Sequence, residues 1–225
     1  MLPFSIISSF SPTSKVFSLE KLISYFFQVQ TDLHASRLFN DTIVNSGPIS
    51  NSAARILSLY GTSIMQITCQ DAVDGHNVTR TLAYALLDSI MRRDGDKKWL
   101  TFMREKGYLK QVISSLILED SILADSLQGN GNLASVFVHE SRMSLLSTLA
   151  RHRIGARALV ETGLIQQLAD AKFIDMRPVV SNMGDEAANE EKIHRYRMLL
   201  FPVLRLIMGL QSTLGMFPCD SSVNN

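Results

Sequence analysis

Residues 137–178 read FVHESRMSLLSTLARHRIGARALVETGLIQQLADAKFIDMRP, and this stretch decides the fold. The pattern predicts a helix over 133–153 that ends at Arg153-Ile154-Gly155. Ala156 to Thr162 then makes barely two turns before Gly163, and Leu164 to Ala171 forms another short helix. Such short helices are unstable alone, because nucleation is costly and few hydrogen bonds follow. They persist only when packed on both sides, and a glycine just past each one lets the chain reverse sharply. The pattern Gly-Ala-x-x-Leu-Val-x-x-Gly-Leu-Ile-x-x-Leu, Gly155 to Leu168, is that of a helix junction in an armadillo-like or HEAT-like repeat. No second clean copy is visible in the sequence.

Outward from this unit, the periodic segments keep a helical spacing. Ala53, Ile56, Leu57, Tyr60, Ile64 and Ile67 recur every three or four residues, and Val78, Leu82, Ala85, Leu86 and Ile90 repeat the pattern after Asp74-Gly75. A short helix is expected from Lys97 to Lys106, closed by Gly107 in a left-handed conformation. A single helix is expected from Tyr108 to about Leu127, with Leu109, Val112, Ile113, Leu116 and Ile117 inward. Gln128 to Asn132 reads as a loop, and 174–189 as an extended segment leading to an exposed loop. The last helix is expected from Glu190 to Leu210, kinked at Pro202. Before Asn51, a helix over 18–38 and a loop over 40–50 are expected. The fold class is therefore all-α: a stacked helical-hairpin, armadillo/HEAT-like α-solenoid segment, its hand of twist left open. It is expected to span 51–210, between an N-terminal helical segment and loop at 1–50 and a flexible tail at 211–225.

Composition narrows the function. Hydrophobic residues are 46% of the 225, ample for a core, and the net charge of +1 gives no field that would steer the chain to nucleic acid. Cys69 and Cys219 form no metal spacing or disulfide framework. The apolar start has no basic leader, its first Lys being Lys15. The run MLLFPVLRLIMGL falls short of the ~20 residues that cross a bilayer and contains Arg205, so no membrane span is expected.

Chemical motifs do not assemble. Gly129-x-Gly131-x-x-Ala134 follows a helix where a dinucleotide fingerprint needs a strand, and Asp94-Gly95-Asp96 lacks the spacing of a calcium loop. His139-Glu140 begins a zincin pattern, but position 143 is Met, so a polar patch on a packed helix is expected there. Cys69, Asp74 and His76 are not brought together by sequence, and Cys69 reads as a buried thiol. Asn40 and Asn77 match the glycosylation acceptor without a secretory signal. Basic clusters at Arg92, Arg93, Lys97 and Lys98 and at Arg151, Arg153 and Arg157 read as solvated helix ends. No enzyme, cofactor or metal site is predicted.

Particular residues support a resemblance. Phe137 to Met143, then Leu146, Ala150, Gly155-Ala156, Leu159, Gly163-Leu164-Ile165, Leu168-Ala169, Asp175-Met176-Arg177-Pro178, and later Arg195-Tyr196-Arg197 with Leu200, Pro202 and Leu204, resemble the very large inner-ring scaffold nucleoporins of the nuclear pore complex. The Glu-Ser-x-Met and Asp-Met-Arg-Pro pieces are the specific ones. The resemblance is clear over 133–206 and weaker over 77–127. Family members are several times longer, and often have an aromatic where His139 sits. The resemblance implies an α-solenoid without catalytic residues, docking other scaffold and linker nucleoporins at the nuclear envelope. A cytosolic armadillo-like adaptor is the alternative, but it would show a ladder of Asn and Trp, and Trp99 stands alone. The greasy ends predict that the isolated chain self-associates. At Asp175-Met176-Arg177-Pro178 a structural turn that seats the next helix is expected, with the aspartate accepting from nearby amides, and a partner contact through Arg177 is the alternative.

Overall fold

The computed structural model describes residues 48–127, 133–178 and 186–215, with the side chains of all but 48–54 and 186–188. The expected helix over 18–38, the loop Gln128–Asn132 and the tail beyond Phe217 lie outside the described residues. Regular structure among the described residues is all helical: α1 (Pro48–Asp74), α2 (Asn77–Arg92), α3 (Lys98–Glu105), α4 (Tyr108–Leu118), α5 (Asp120–Leu127), α6 (Leu133–Ala150), α7 (Arg153–Glu161), α8 (Leu164–Ala169), α9 (Lys172–Asp175) and α10 (Glu186–Leu214).

The long helices pack in succession, α1 on α2, α2 on α6 and α6 on α10. The short helices connect them and pack among themselves, α4 on α3, α5 and α8, α7 on α8, and α5 on α9. The core runs unbroken through the row, with Leu86, Leu87 and Ile90 of α2, Leu145, Leu146 and Leu149 of α6, and Leu199, Val203 and Leu206 of α10 all buried. Each such side chain contributes about 1.5–3 kcal/mol by leaving water.

The second copy of the repeat, absent from the sequence reading, is present in the structure. Glu105-Lys106-Gly107-Tyr108-Leu109-Lys110-Gln111-Val112 and Glu161-Thr162-Gly163-Leu164-Ile165-Gln166-Gln167-Leu168 occupy equivalent corners. Gly107 and Gly163 both precede a helix at positive φ, 77° and 91°, a conformation glycine adopts without steric cost. Their amides donate to the carbonyls of Arg104 and Val160, and their carbonyls accept from Gln111 and Gln167 at 3.1 Å in both corners. The corners stack: Arg104 of α3 pairs with Glu161 of α7 at 2.9 Å, and α4 contacts α8. The units α2–α4 and α6–α8 are thus consecutive layers of a solenoid.

Several expectations are corrected. The helix expected over 108–127 breaks at Glu119, so Ile117 turns outward. Arg153-Ile154-Gly155 opens α7 instead of closing α6, because the turn falls at Arg151 and His152. The segment from 174 is not wholly extended, since Lys172–Asp175 closes one more helical turn. In α1 the buried stripe is Met65, Thr68, Cys69 and Ala72, while Tyr60 and Ile67 are exposed; Val78 of α2 is exposed too. The period was right and its phase was set by the neighbour. The loop expected over 40–50 becomes helix at Pro48, where a proline at the first helical position loses no hydrogen bond.

Helix α10 runs past Leu210 to Leu214 with Pro202 inside it. Its segment Asn189–Leu214 is long and apolar enough, by length and composition, to cross a membrane, unlike the shorter run judged from sequence. Its inner stripe packs on α6 and α7, and it carries Arg195, Arg197 and Arg205, which is how a solenoid helix is built.

Candidate functional site

The Asp175–Pro178 turn is assembled by its neighbours. α9 has no cap of its own, and the amide of Phe173 donates to the Asp120 carboxylate of α5 at 3.0 Å. The Tyr196 hydroxyl of α10 donates to the Ile174 carbonyl at 3.0 Å. The Arg177 amide then donates to the Asp175 carbonyl at 2.9 Å, with Met176 at φ −79°, ψ 77°, an inverse γ-turn. The backbone of Asp175 therefore does what its carboxylate was expected to do. Met176 is half-buried against the core, whereas Asp175 and Arg177 are exposed, and Arg177 has no ion pair among the described residues.

Behind the turn lies a charged seam that sequence reasoning missed. Glu119, at the break between α4 and α5, pairs with Arg80 of α2 and with Arg142 of α6, the latter at 2.5 Å. Arg80 also donates to the Ala72 carbonyl of α1 at 3.2 Å. The Arg142 side chain is fully buried and lies over the Tyr84 ring at 5.5 Å. Burial works against its charge, but Tyr84 and Glu119 outweigh it and hold the guanidinium above its ordinary range. One carboxylate thus ties two solenoid layers and, through Arg80, the end of α1. A signal existed: Asp120 falls on the inward stripe of 108–127, and Arg142 lies one turn from both Val138 and Leu146, so both announce buried charge that must be paired.

His139 is adjacent and also wholly buried, while Glu140 is exposed, so the expected shared polar patch is not formed. The Nε2–H of His139 donates to the Leu199 carbonyl of α10 at 3.1 Å, and its ring meets Phe173 edge-on at 5.2 Å. Burial, reinforced by the Arg142 charge and only partly offset by the Leu199 carbonyl, pushes its pKa down to about 3. It is a neutral strut between α6 and α10.

The remaining candidates have structural places. Cys69 is buried in α1, and burial pushes its thiol up to about 12. Asp94 of the Asp-Gly-Asp segment accepts from the amides of Trp99 at 2.9 Å and Leu100 at 3.2 Å, capping α3. Among the described residues no group of three or more His, Cys, Asp or Glu is placed to hold a metal ion.

The pieces that are specific to the resemblance, Glu140 to Met143 and Asp175 to Pro178, are the ones that supply Arg142 and the turn. A family model described as "Nuclear pore complex scaffold, nucleoporins 186/192/205" matches residues 19–217. The chain belongs to this nuclear pore scaffold family. It is 34% identical over 158 residues to the Homo sapiens nuclear pore complex protein Nup205, a match covering 67% of this chain and 8% of that protein. To the Drosophila melanogaster Nup205 it is 31% identical over 170 residues, covering 72% of this chain and 8% of that one. The matched span is thus a small part of these scaffold relatives, about the size of the two stacked layers and their flanking helices.

Proposed function

We propose that this chain is a structural segment of the nuclear pore scaffold, at the nuclear envelope, supporting nucleocytoplasmic transport through protein contacts and not through catalysis. The observation that carries the reading is the stacking of equivalent layers in a member of a scaffold family, with apolar side chains exposed on the first and last helices among the described residues. Tyr60 and Ile67 of α1 and Phe201, Leu204 and Met208 of α10 are exposed at helical spacing. A solenoid layer cannot cover its own core, so such faces call for a neighbour. The partners proposed are other scaffold and linker nucleoporins, with Arg177 as a contact residue. The adaptor alternative is not favoured by the family. The isolated chain is further proposed to self-associate through its open faces; light scattering at rising concentration would show mass growth, and a strictly monodisperse monomer refutes it.

The test of the main reading is a tagged chain expressed in cells and recovered from a nuclear-envelope extract. Enrichment of other pore scaffold subunits, with staining at the nuclear rim, is expected. A diffuse distribution without that enrichment refutes the reading.

A further inference from the structure

Helix α1 is apolar on two sides. Met65, Cys69 and Ala72 are buried, and the helix packs on α2 and α4. A second stripe, Ile56, Tyr60, Ile64 and Ile67, runs beside the first at steps of three and four. Tyr60 is 39% and Ile67 44% exposed, while Ile56 and Ile64 are half-buried. A helix with two apolar sides is built to stand between two neighbours. The long helices pack in chain order, α1 on α2, α2 on α6 and α6 on α10, so the neighbour before α1 is to be sought upstream of Pro48.

The upstream sequence has what that place requires. The family match begins at residue 19, so scaffold sequence continues ahead of α1. Leu19, Leu22, Ile23, Phe26, Val29 and Leu33 recur at helical spacing. Residues 39–47 then lead into Pro48, a link short enough to return the chain antiparallel to a neighbouring helix. Helices rise equally per residue, so positions equally far from that link come level. Leu19 comes level with Ile67, Leu22 with Ile64 and Phe26 with Tyr60, so apolar meets apolar each time. Asp32 comes within one position of the exposed Arg55, which adds an attraction of opposite charges.

We propose that the second stripe of α1 is the docking site of residues 19–38 of the same chain, laid antiparallel on Ile56, Tyr60, Ile64 and Ile67 as the helix before α1. The occupant is set by chain order, by the length of the link and by the match of apolar positions along both stripes. The inference goes beyond the scaffold reading and stands without it. It narrows the proposed self-association to α10, whose exposed Phe201, Leu204 and Met208 have no such segment leading into them.

Cross-linking of the full chain tests the register. The background is Cys219→Ser, which leaves only the buried thiol of Cys69. Phe26→Cys/Tyr60→Cys and Leu19→Cys/Ile67→Cys are treated with a short bis-maleimide at low protein concentration, beside Phe26→Cys/Met208→Cys. The first two pairs are expected to join within one chain, at single-chain mass and with a shifted band on a denaturing gel; the third is expected not to join. Efficient joining of Phe26→Cys to Met208→Cys, within a chain or between two, overturns the proposal, as does joining of the first two pairs only between chains. Hydrogen exchange of the full chain checks the contact without new cysteines. Amides of 19–38 are expected to be protected, and Tyr60→Asp/Ile67→Asp to speed their exchange about tenfold or more by bringing charge into the apolar contact, with α6 and α10 unmoved. Exchange of 19–38 at unfolded rates in the parent, or protection untouched by the variant, overturns the proposal. If the variant speeds α6 as well, the cross-links decide.

Discussion

Acid should loosen this protein through one histidine. His139 is fully buried, gives its Nε2–H to the Leu199 carbonyl, and lies beside Arg142, so its pKa falls from the ordinary 6.5 to about 3. In the unfolded chain it returns to 6.5. Between those values the unfolded state binds a proton that the folded state refuses, so stability is complete above pH 6.5 and falls as pH drops toward 3. The slope approaches about 1.4 kcal/mol per pH unit, and integration from pH 7 to pH 5 gives a loss of about 2 kcal/mol from this group. For a chain of this size that is a fall of roughly 4–8 °C in melting temperature. Other groups titrate in the same range, so the informative quantity is a difference. His139→Leu keeps the site apolar and removes the titration, at a cost of about 1 kcal/mol for the lost hydrogen bond at every pH. Denaturant unfolding at pH 7, 6 and 5 should show the variant losing about 2 kcal/mol less than the parent. Parallel pH curves would refute the reasoning, because they would mean His139 titrates in the fold as it does in the unfolded chain.

Three further outcomes follow from the same geometry. Glu119→Ala strands the buried Arg142 without its carboxylate, and should cost about 3–5 kcal/mol by urea titration; adding Arg142→Met should recover much of it, and a loss under 1 kcal/mol would mean the seam is solvated. Gly163→Ala meets open space but keeps a φ of 91°, so it should lower stability by about 1–2 kcal/mol through backbone strain alone, and Gly107→Ala by a similar amount if the corners are equivalent. Arg177→Glu should leave melting unchanged, because the side chain is exposed and the turn is closed by backbone; weakened recovery of pore subunits marks a partner contact, whereas a fall in melting assigns Arg177 to the turn.

Much of this was legible locally. The spacing of apolar residues is a property of a few turns of chain, so the residues alone determined that the protein is helical, that Gly107 and Gly163 turn corners, and that 137–178 is a repeat unit. The motif fragments Glu140 to Met143 and Asp175 to Pro178 carried the family. What only the tertiary structure decided was every feature whose cause lies on another helix. The helix breaks at Glu119, where Arg80 and Arg142, from α2 and α6, meet its carboxylate. The phase of α1 follows from which side α2 covers. The second copy of the repeat emerged only once φ angles and hydrogen bonds could be compared, since Tyr108 and Leu164 or Val112 and Leu168 share a place without sharing a residue. Periodicity is written within a helix; the pairing of buried charge is written between helices, and distance in sequence says nothing of which ones meet.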